Sequence, residues 1–492
     1  MATKELLVAP KALSSGRTAE LAPASWSGPD RDSVLIRAAT RAGEVRRAMS
    51  RVAHDVRYRP PRRRTAKMLV LIPSHNEEDS IGNVLNALLT QTRVPDRIVV
   101  IADNCTDKTE QIARRFRGVT VMRTVGNSER KVGALNQAWR RWQAGYDYVA
   151  GIDADTILAP DCLQQLEAEL SVTPRPGGVM ARYTFDQRLG ASGMARLLIR
   201  MQRLEFAAWT ADALRRNRKT YVLGGQASLF SNDALRAVAE QNLTRGPWDT
   251  STQVEDMQLT GDLKAMRYSA NVSVSARAYA GPMMNLRALW AQRRKWDEGM
   301  ARLLVHSKVN KWTATLWKQQ LGLASNGITR IGFVFLLTAS LMVHQYRWNW
   351  LWVIPPAVAV LLNLKLAWRV PNRTTADLIG AVLLVPVELY LIMRVCCATA
   401  SWVNVLAGIK RDNWAHQARA ELGAAGGPGK ILGAMLIVAV LVGGLVYGWT
   451  HAALFIQRDI LTVGWAGLAI ITALQTLMMV FRILRPSRGL RP

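Results

Sequence analysis

The chain has 492 residues, 64 Lys and Arg against 36 Asp and Glu, a net charge of +28, and 49% hydrophobic residues. That length admits more than one domain with a full core, and the mean hydropathy of +0.03 averages a mixed first part with a final third of long apolar runs. The charge suits nucleic acid or an anionic membrane surface; with no compact basic helix and no aromatic ribonucleoprotein pattern, membrane lipids and anionic substrates are the expected partners and nucleic acid is not.

Residues 1–66 are rich in Arg, Ala, Ser and Pro, carry the run Arg59-Pro60-Pro61-Arg62-Arg63-Arg64, and show no positive–apolar–small signal pattern. They read as a mostly disordered basic arm, with a membrane-surface helix over Val34 to Val52 as the alternative. From Met68 to Pro73 a short apolar run predicts a buried strand. Ser80 to Leu89 has helical spacing, Arg97 to Asp103 is a second buried run, and Thr106 to Phe116 reads as a helix. Val119 to Met122 is a third strand, Lys131 to Gln143 a third helix, and Tyr146 to Ile152 a fourth strand that ends on Asp153-Ala154-Asp155. Strand–helix alternation with continuously apolar strands predicts a Rossmann-like α/β domain on a parallel sheet covered on both faces. Such sheets bind ligands at the carboxyl ends of their strands, where Asp103 and Asp153 fall.

Gly193 to Arg216 and Met284 to Leu304 are amphipathic stretches with Arg and Trp, open to two readings: surface helices of the domain, or helices lying on a membrane. An α-helical membrane region is expected over 313–484, with about four spans near 323–345, 349–368, 431–452 and 460–481. The segment 377–409 is apolar but contains Pro386, Glu388 and Arg394. Keeping its basic flanks and the basic tail 485–492 on one side makes it interfacial or re-entrant, and a simple five-span topology is the rival. The soluble domain, 67–312, and the tail are then cytoplasmic, in a multi-pass protein of the inner or plasma membrane. The 4 cysteines show no metal-binding spacing and read as reduced thiols.

Three motifs carry possible chemistry. Asp153-x-Asp155 past a strand end suits a hard divalent cation shared with substrate phosphates, although alone it is equally a turn. Glu255-Asp256, read as just preceding a helix over Met257 to Lys264, offers a base for an acceptor hydroxyl, or only charge complementing a helix dipole. Gln292, Arg293, Lys295 and Trp296 lie on one helix, where cations suit a diphosphate and the indole a sugar, or where both simply anchor an interfacial helix.

Taken in order, these blocks resemble membrane-bound family 2 glycosyltransferases, the cellulose, chitin, hyaluronan and poly-N-acetylglucosamine synthases. The resemblance rests on Ile72-Pro73-Ser74-His75-Asn76-Glu77-Glu78, on Ala102-Asp103-Asn104-Cys105-Thr106-Asp107, and on Lys131-Val132-Gly133-Ala134-Leu135-Asn136. It continues through Asp153-x-Asp155, the Gly224-Gly225 strand, Val254-Glu255-Asp256 and Gln292-x-x-Lys295-Trp296. Lys295 replaces the usual Arg, keeping the charge but losing the planar fork. The resemblance implies a GT-A catalytic domain performing inverting, metal-dependent hexosyl transfer from a nucleotide-diphosphate sugar, UDP-linked, to a growing glycan coupled to export. A non-processive transferase acting on a lipid-linked acceptor is the alternative. It assigns Pro73, Asn76, Glu77, Asp103, Lys131 and Asp153 to the nucleotide sugar and Asp155 to Mg²⁺ or Mn²⁺. Asp256, with Glu255 beside it, becomes the base, and Gly225, Gln292, Arg293, Lys295 and Trp296 serve the acceptor and diphosphate. A homo-oligomer or an accessory export subunit is compatible with it.

Overall fold

The computed structural model describes residues 66–185, 191–242, 246–346, 348–409, 411–421 and 443–485. The predicted basic arm, the first half of the span predicted over 431–452 and all but the first residue of the basic tail lie outside the described residues.

Strands β1 (Met68–Ser74), β2 (Arg97–Ala102), β3 (Val119–Arg123) and β4 (Tyr148–Ile152) alternate with helices α1 (Ile81–Leu89), α2 (Thr109–Arg114) and α3 (Arg130–Trp142). These strands pair in parallel in the order β3-β2-β1-β4. The two faces of β1 explain its unbroken apolar run. Met68, Val70 and Ile72 pack on Val84, Leu85 and Leu88 of α1, whereas Leu69 and Leu71 pack on Val132, Leu135 and Trp139 of α3. A polar residue at either parity would be buried without a partner.

The other half of the sheet departs from the all-parallel expectation. It adds β5 (Ile157–Leu158), β6 (Pro176–Phe185), β7 (Ala227–Ser231) and β8 (Ser269–Ala280), in the order β4-β7-β6-β8-β5. Here β7 runs antiparallel to both β4 and β6, β5 runs antiparallel to β8, and β6 with β8 is parallel. The result is a mixed, mostly parallel, Rossmann-like GT-A sheet. Helices α4 (Cys162–Ser171), α5 (Gly193–Arg215), α6 (Asn232–Gln241), α7 (Glu255–Ala265) and α8 (Leu286–His306) complete the domain. Helix α7 starts at Glu255, two residues before the expected start at Met257, so both acids lie in its first turn.

Helices α5 and α8 both pack on the domain, and α5 also meets the apolar helices that follow. The Ser192 hydroxyl caps α5 by accepting from Ala195 N at 3.2 Å, and Asn285 Oδ1 caps α8 by accepting from Ala288 N at 2.8 Å. Ile199 and Phe206 of α5 then pack on Phe185 of β6 and Ala280 of β8, with Trp296 of α8 against them.

The helical region comes next: α9 (Lys311–Met342), α10 (Ile354–Ala367), α11 (Thr375–Val382), α12 (Leu384–Leu406), α13 (Asn413–Glu421) and α14 (Leu454–Leu484). Among the described residues four helices are long and apolar enough to cross a membrane: Lys311–Met342, Trp350–Ala367, Leu384–Leu406 and Leu454–Leu484. In the most apolar stretch of Leu454–Leu484 no residue is buried by protein, and exposed faces of that extent suit lipid better than water.

Helix α12 lies along α8 and is held by charge. Arg394 of α12 donates to Asp297 of α8 at 2.8 Å and lies 3.0 Å from Glu205 of α5. Tyr390 donates to Glu205 at 2.6 Å, and Arg293 of α8 completes the group at 2.8 Å from Glu205. Further along, Ser401 meets the Arg294 carbonyl and Asn404 donates to Glu298. Two arginines against two carboxylates leave the cluster neutral, as burial requires. The four cysteines of the chain are free thiols.

Candidate active site

The site forms where β1, β2 and β4 end. Past β1 the chain turns through Asn76, whose φ of 56° is left-handed, a conformation Asn tolerates. That turn is tied to the loop after β2: Thr106 N donates to Asn76 Oδ1 at 2.8 Å, and Glu77 N donates to Thr109 Oγ1 at 2.7 Å. The Glu77 carboxylate accepts from Ser80 Oγ at 2.7 Å. Asp103, at the end of β2, is buried. Its Oδ1 accepts from Thr124 Oγ1 at 2.8 Å and from Asn127 and Asn104 side-chain amides at 2.7 and 3.2 Å.

Lys131, in the first turn of α3, reaches across to the end of β4. Its Nζ lies 2.5 Å from Asp153 Oδ1 and 3.8 Å from Glu255 Oε1 of α7. Burial would depress the ammonium, but Asp153 and Glu255 outweigh it and hold it charged above its ordinary range. Pro73, Lys131, Asp153, Gly225, Glu255 and Asp256 line one cavity of about 340 Å³. At Gly225 a Cβ would overlap Lys131 Nζ and come within 3.1 Å of Asp153 Oδ1, so a side chain there displaces the Lys131 ammonium.

The acids differ in proton affinity. Burial, with the neighbouring Glu255 charge, pushes Asp256 up to about 7, against the opposing pull of Lys131 and of the Met257 N–H that donates to its Oδ1 at 2.8 Å. Burial and the Asp153 charge push Asp155 up to about 6. Its carboxylate accepts a 3.3 Å hydrogen bond from Thr156. Among the described residues no three His, Cys, Asp or Glu side chains converge on one metal position. A buried, proton-loving carboxylate with oxygen neighbours nonetheless fits a cation that completes its shell with substrate phosphates.

The helix α8 residues lie elsewhere and do not line that cavity. Arg293 is fully buried and spends its charge on Glu205, with its guanidinium 4.5 Å from the Trp296 ring centroid and its Nη1 donating to Gln292 Oε1. Trp296 stands 6.2 Å from both Trp209 and Phe206. Lys295 Nζ sits 3.4 Å over the ring of Trp414 on α13. Sequence reasoning passed over Glu205, Tyr390 and Trp414, and noted Arg394 only as a charge within an apolar segment. The one available signal was an acid among arginines on α5 and a lone cation in an apolar segment; which of them meet is a matter of tertiary structure.

Residues 69–238 match the family model described as glycosyl transferase family 2. The chain carries a family 2 glycosyltransferase domain. Similar curated proteins include a poly-beta-1,6-N-acetyl-D-glucosamine synthase of Staphylococcus epidermidis, 25% identical over 235 residues that make up 46% of this chain and 53% of that protein. Another is the synthase of the same name from Staphylococcus aureus (strain MSSA476), 26% identical over the same shares. The chain thus spans about half the length of the curated relatives it matches. Among solved structures, a mannosyltransferase from Pyrobaculum calidifontis in complex with GDP-Man and Mn²⁺ aligns over 70% of this chain and 88% of that one, at 19% identity and a TM-score of 0.44. Glucosyl-3-phosphoglycerate synthase from Mycobacterium tuberculosis with Mn²⁺ and UDP-Glc aligns over 49% and 79%, at 21% identity and a TM-score of 0.33. Both structural likenesses are weak.

Proposed function

We propose that the chain is a membrane-embedded inverting transferase that elongates a glycan from a nucleotide-diphosphate sugar, UDP-linked, and passes the product across the membrane. The observation that carries the reading is the meeting of Lys131, Asp153, Glu255 and Asp256 in one cavity at the strand ends. It joins a cation suited to a diphosphate and a carboxylate able to hold a proton near neutrality. The relatives' activity, synthesis of a poly-N-acetylglucosamine, is the product class we favour.

In this scheme Asp256, ionised, accepts the proton of the acceptor hydroxyl as that oxygen bonds to the anomeric carbon. The bond from that carbon to the diphosphate oxygen breaks with its electron pair, and attack from the opposite face inverts the carbon. Lys131, oriented by Asp153, meets the charge that builds on the departing diphosphate. Asp103 and the Pro73–Glu77 loop hold the nucleoside. Asp155 would hold Mg²⁺ or Mn²⁺ on the diphosphate, where the ion supplies charge neutralisation. Trp296, set edge-on to Phe206 and tilted to Trp209, offers an indole surface to the acceptor sugar.

The side-by-side packing of α12 on α8 supports an interfacial rather than crossing position for Leu384–Leu406, with the transferase domain on the cytoplasmic side where the basic flanks lie. Incubating membranes containing the full chain with labelled UDP sugars and Mg²⁺ or Mn²⁺ tests the reading. Long polymer supports it. A one-sugar lipid product replaces elongation with single addition, and no transfer from any donor refutes it.

A further inference from the structure

A second cavity lies between β6, α5 and the chain that leaves α10. Arg182, Thr184, Arg203, Thr210, Arg369 and Pro371 line it. Two of its guanidinium groups are almost wholly removed from water: Arg182 is 7% exposed and Arg203 2%. Among the described residues the Nε atoms of both, and the buried hydroxyl of Thr184, have no hydrogen-bond partner. Leaving such donors unmet is costly, and three in one cavity are seldom left so unless something accepts from them.

The charge is equally unbalanced. In the β6–β8 register Arg182 stands directly opposite Arg277, a like-charge cross-strand pair. Burial and then Arg277 depress the Arg182 guanidinium, and only Glu169 opposes them. Burial also depresses Arg215 and Arg369, and Arg369 and Arg482 both act against the charge on Arg215. The acids in reach are already engaged: Glu169 with Arg218, Asp377 with Arg203, and Asp212 with Arg215 and Arg216.

We propose that this cavity is a binding site for a phosphate group. Its place in the fold favours the headgroup of an anionic phospholipid as the source. Arg369 comes directly after the candidate span Trp350–Ala367. Trp368, 59% exposed, marks the depth of a membrane–water boundary, and Arg373 stacks on its ring at 4.3 Å. Leu362 and Leu366 of α10 pack with Met479 and Ile483 of α14 onto Ala211 of α5. The cavity therefore opens where two apolar helices end against the transferase domain. The phosphate accepts from Arg182, Arg203 and Thr184, and its negative charge offsets the like-charge pair of Arg182 and Arg277. The inference rests on the membrane reading of α10 and α14 and is independent of the sugar chemistry.

The test is thermal unfolding of the detergent-solubilised full chain, titrated separately with phosphatidylglycerol, phosphatidylcholine and inorganic phosphate. Wild type, Arg182→Gln and Arg369→Gln are compared. We expect a saturable rise in Tm with phosphatidylglycerol, none with phosphatidylcholine, and about tenfold weaker apparent affinity in each variant, the effect of losing one cationic group from the lining. Without added anion Arg182→Gln should be at least as stable as wild type, because the substitution relieves the pairing with Arg277. An equal, variant-sensitive rise with inorganic phosphate supports the site and assigns its ligand to solution rather than to lipid. Wild-type responses in both variants, or no response to either anion, overturn the proposal.

Discussion

Replacing Asp256 by Asn should abolish sugar transfer and at the same time stabilise the protein above neutral pH. The half-buried carboxyl is pushed up to about 7 from its ordinary 3.8, worth at most about 4 kcal/mol. The sign comes from linkage. A carboxyl whose folded value lies above its unfolded value contributes stability that is fully present below 3.8 and is lost as pH rises through about 7. At pH 8 the wild type carries the whole penalty and Asn carries none, while Asn still accepts from Met257 N. At pH 4 the two should unfold alike. Structural relaxation and the nearby Lys131 reduce the gain to about 2–4 kcal/mol, several degrees in Tm. The assay is thermal unfolding of the chelator-treated protein at both pH values, beside transfer of labelled sugar, which should fall by about 10²–10⁴. Equal stability at pH 8, or transfer at the wild-type rate, refutes the reasoning.

Gly225→Ala should raise the donor KM tenfold or more with little change in Tm, since the new methyl displaces Lys131 Nζ from Asp153; donor titration of the initial rate checks it. Asp155→Asn should eliminate turnover and its dependence on Mg²⁺ or Mn²⁺, read as nucleotide diphosphate release, while leaving the fold intact. Glu205→Gln should cost about 3 kcal/mol and loosen α12, because Arg293 and Arg394 keep only Asp297 as a buried counter-charge. Protease sensitivity of the 377–409 segment and a lowered Tm report that loss.

The first half of the sheet was legible because β1, β2 and β4 are buried on both faces and leave unbroken apolar runs. Strands β6 and β8 were not, because Gly177, Gly178, Arg182, Ser273 and Ser275 interrupt their pattern. Arg182 lines a cavity beside α5 and Ser273 is consumed by Glu169. Of the residues expected at the nucleotide sugar, Pro73, Lys131 and Asp153 line one cavity with Gly225, Glu255 and Asp256, whereas Asn76, Glu77 and Asp103 do not line it. The α8 motif was half legible. Its spacing announced one helix face, but nothing local to Arg293 reveals that Glu205, 88 positions earlier, takes up its charge. Long-range ion pairs leave no periodic trace in a chain.

The Glu205–Arg293–Asp297–Arg394 cluster also bears on biogenesis. Synthesis runs from the amino end, so Glu205 and Asp297 are in place before Arg394 leaves the ribosome. A nascent α12 that reached the membrane surface without that pocket would carry a guanidinium with neither of these counter-charges. One meeting a finished pocket finds its counter-charges waiting. Folding of the domain that carries Glu205 and Asp297 would thus precede docking of α12, and a variant that misfolds early would be expected to leave that helix undocked.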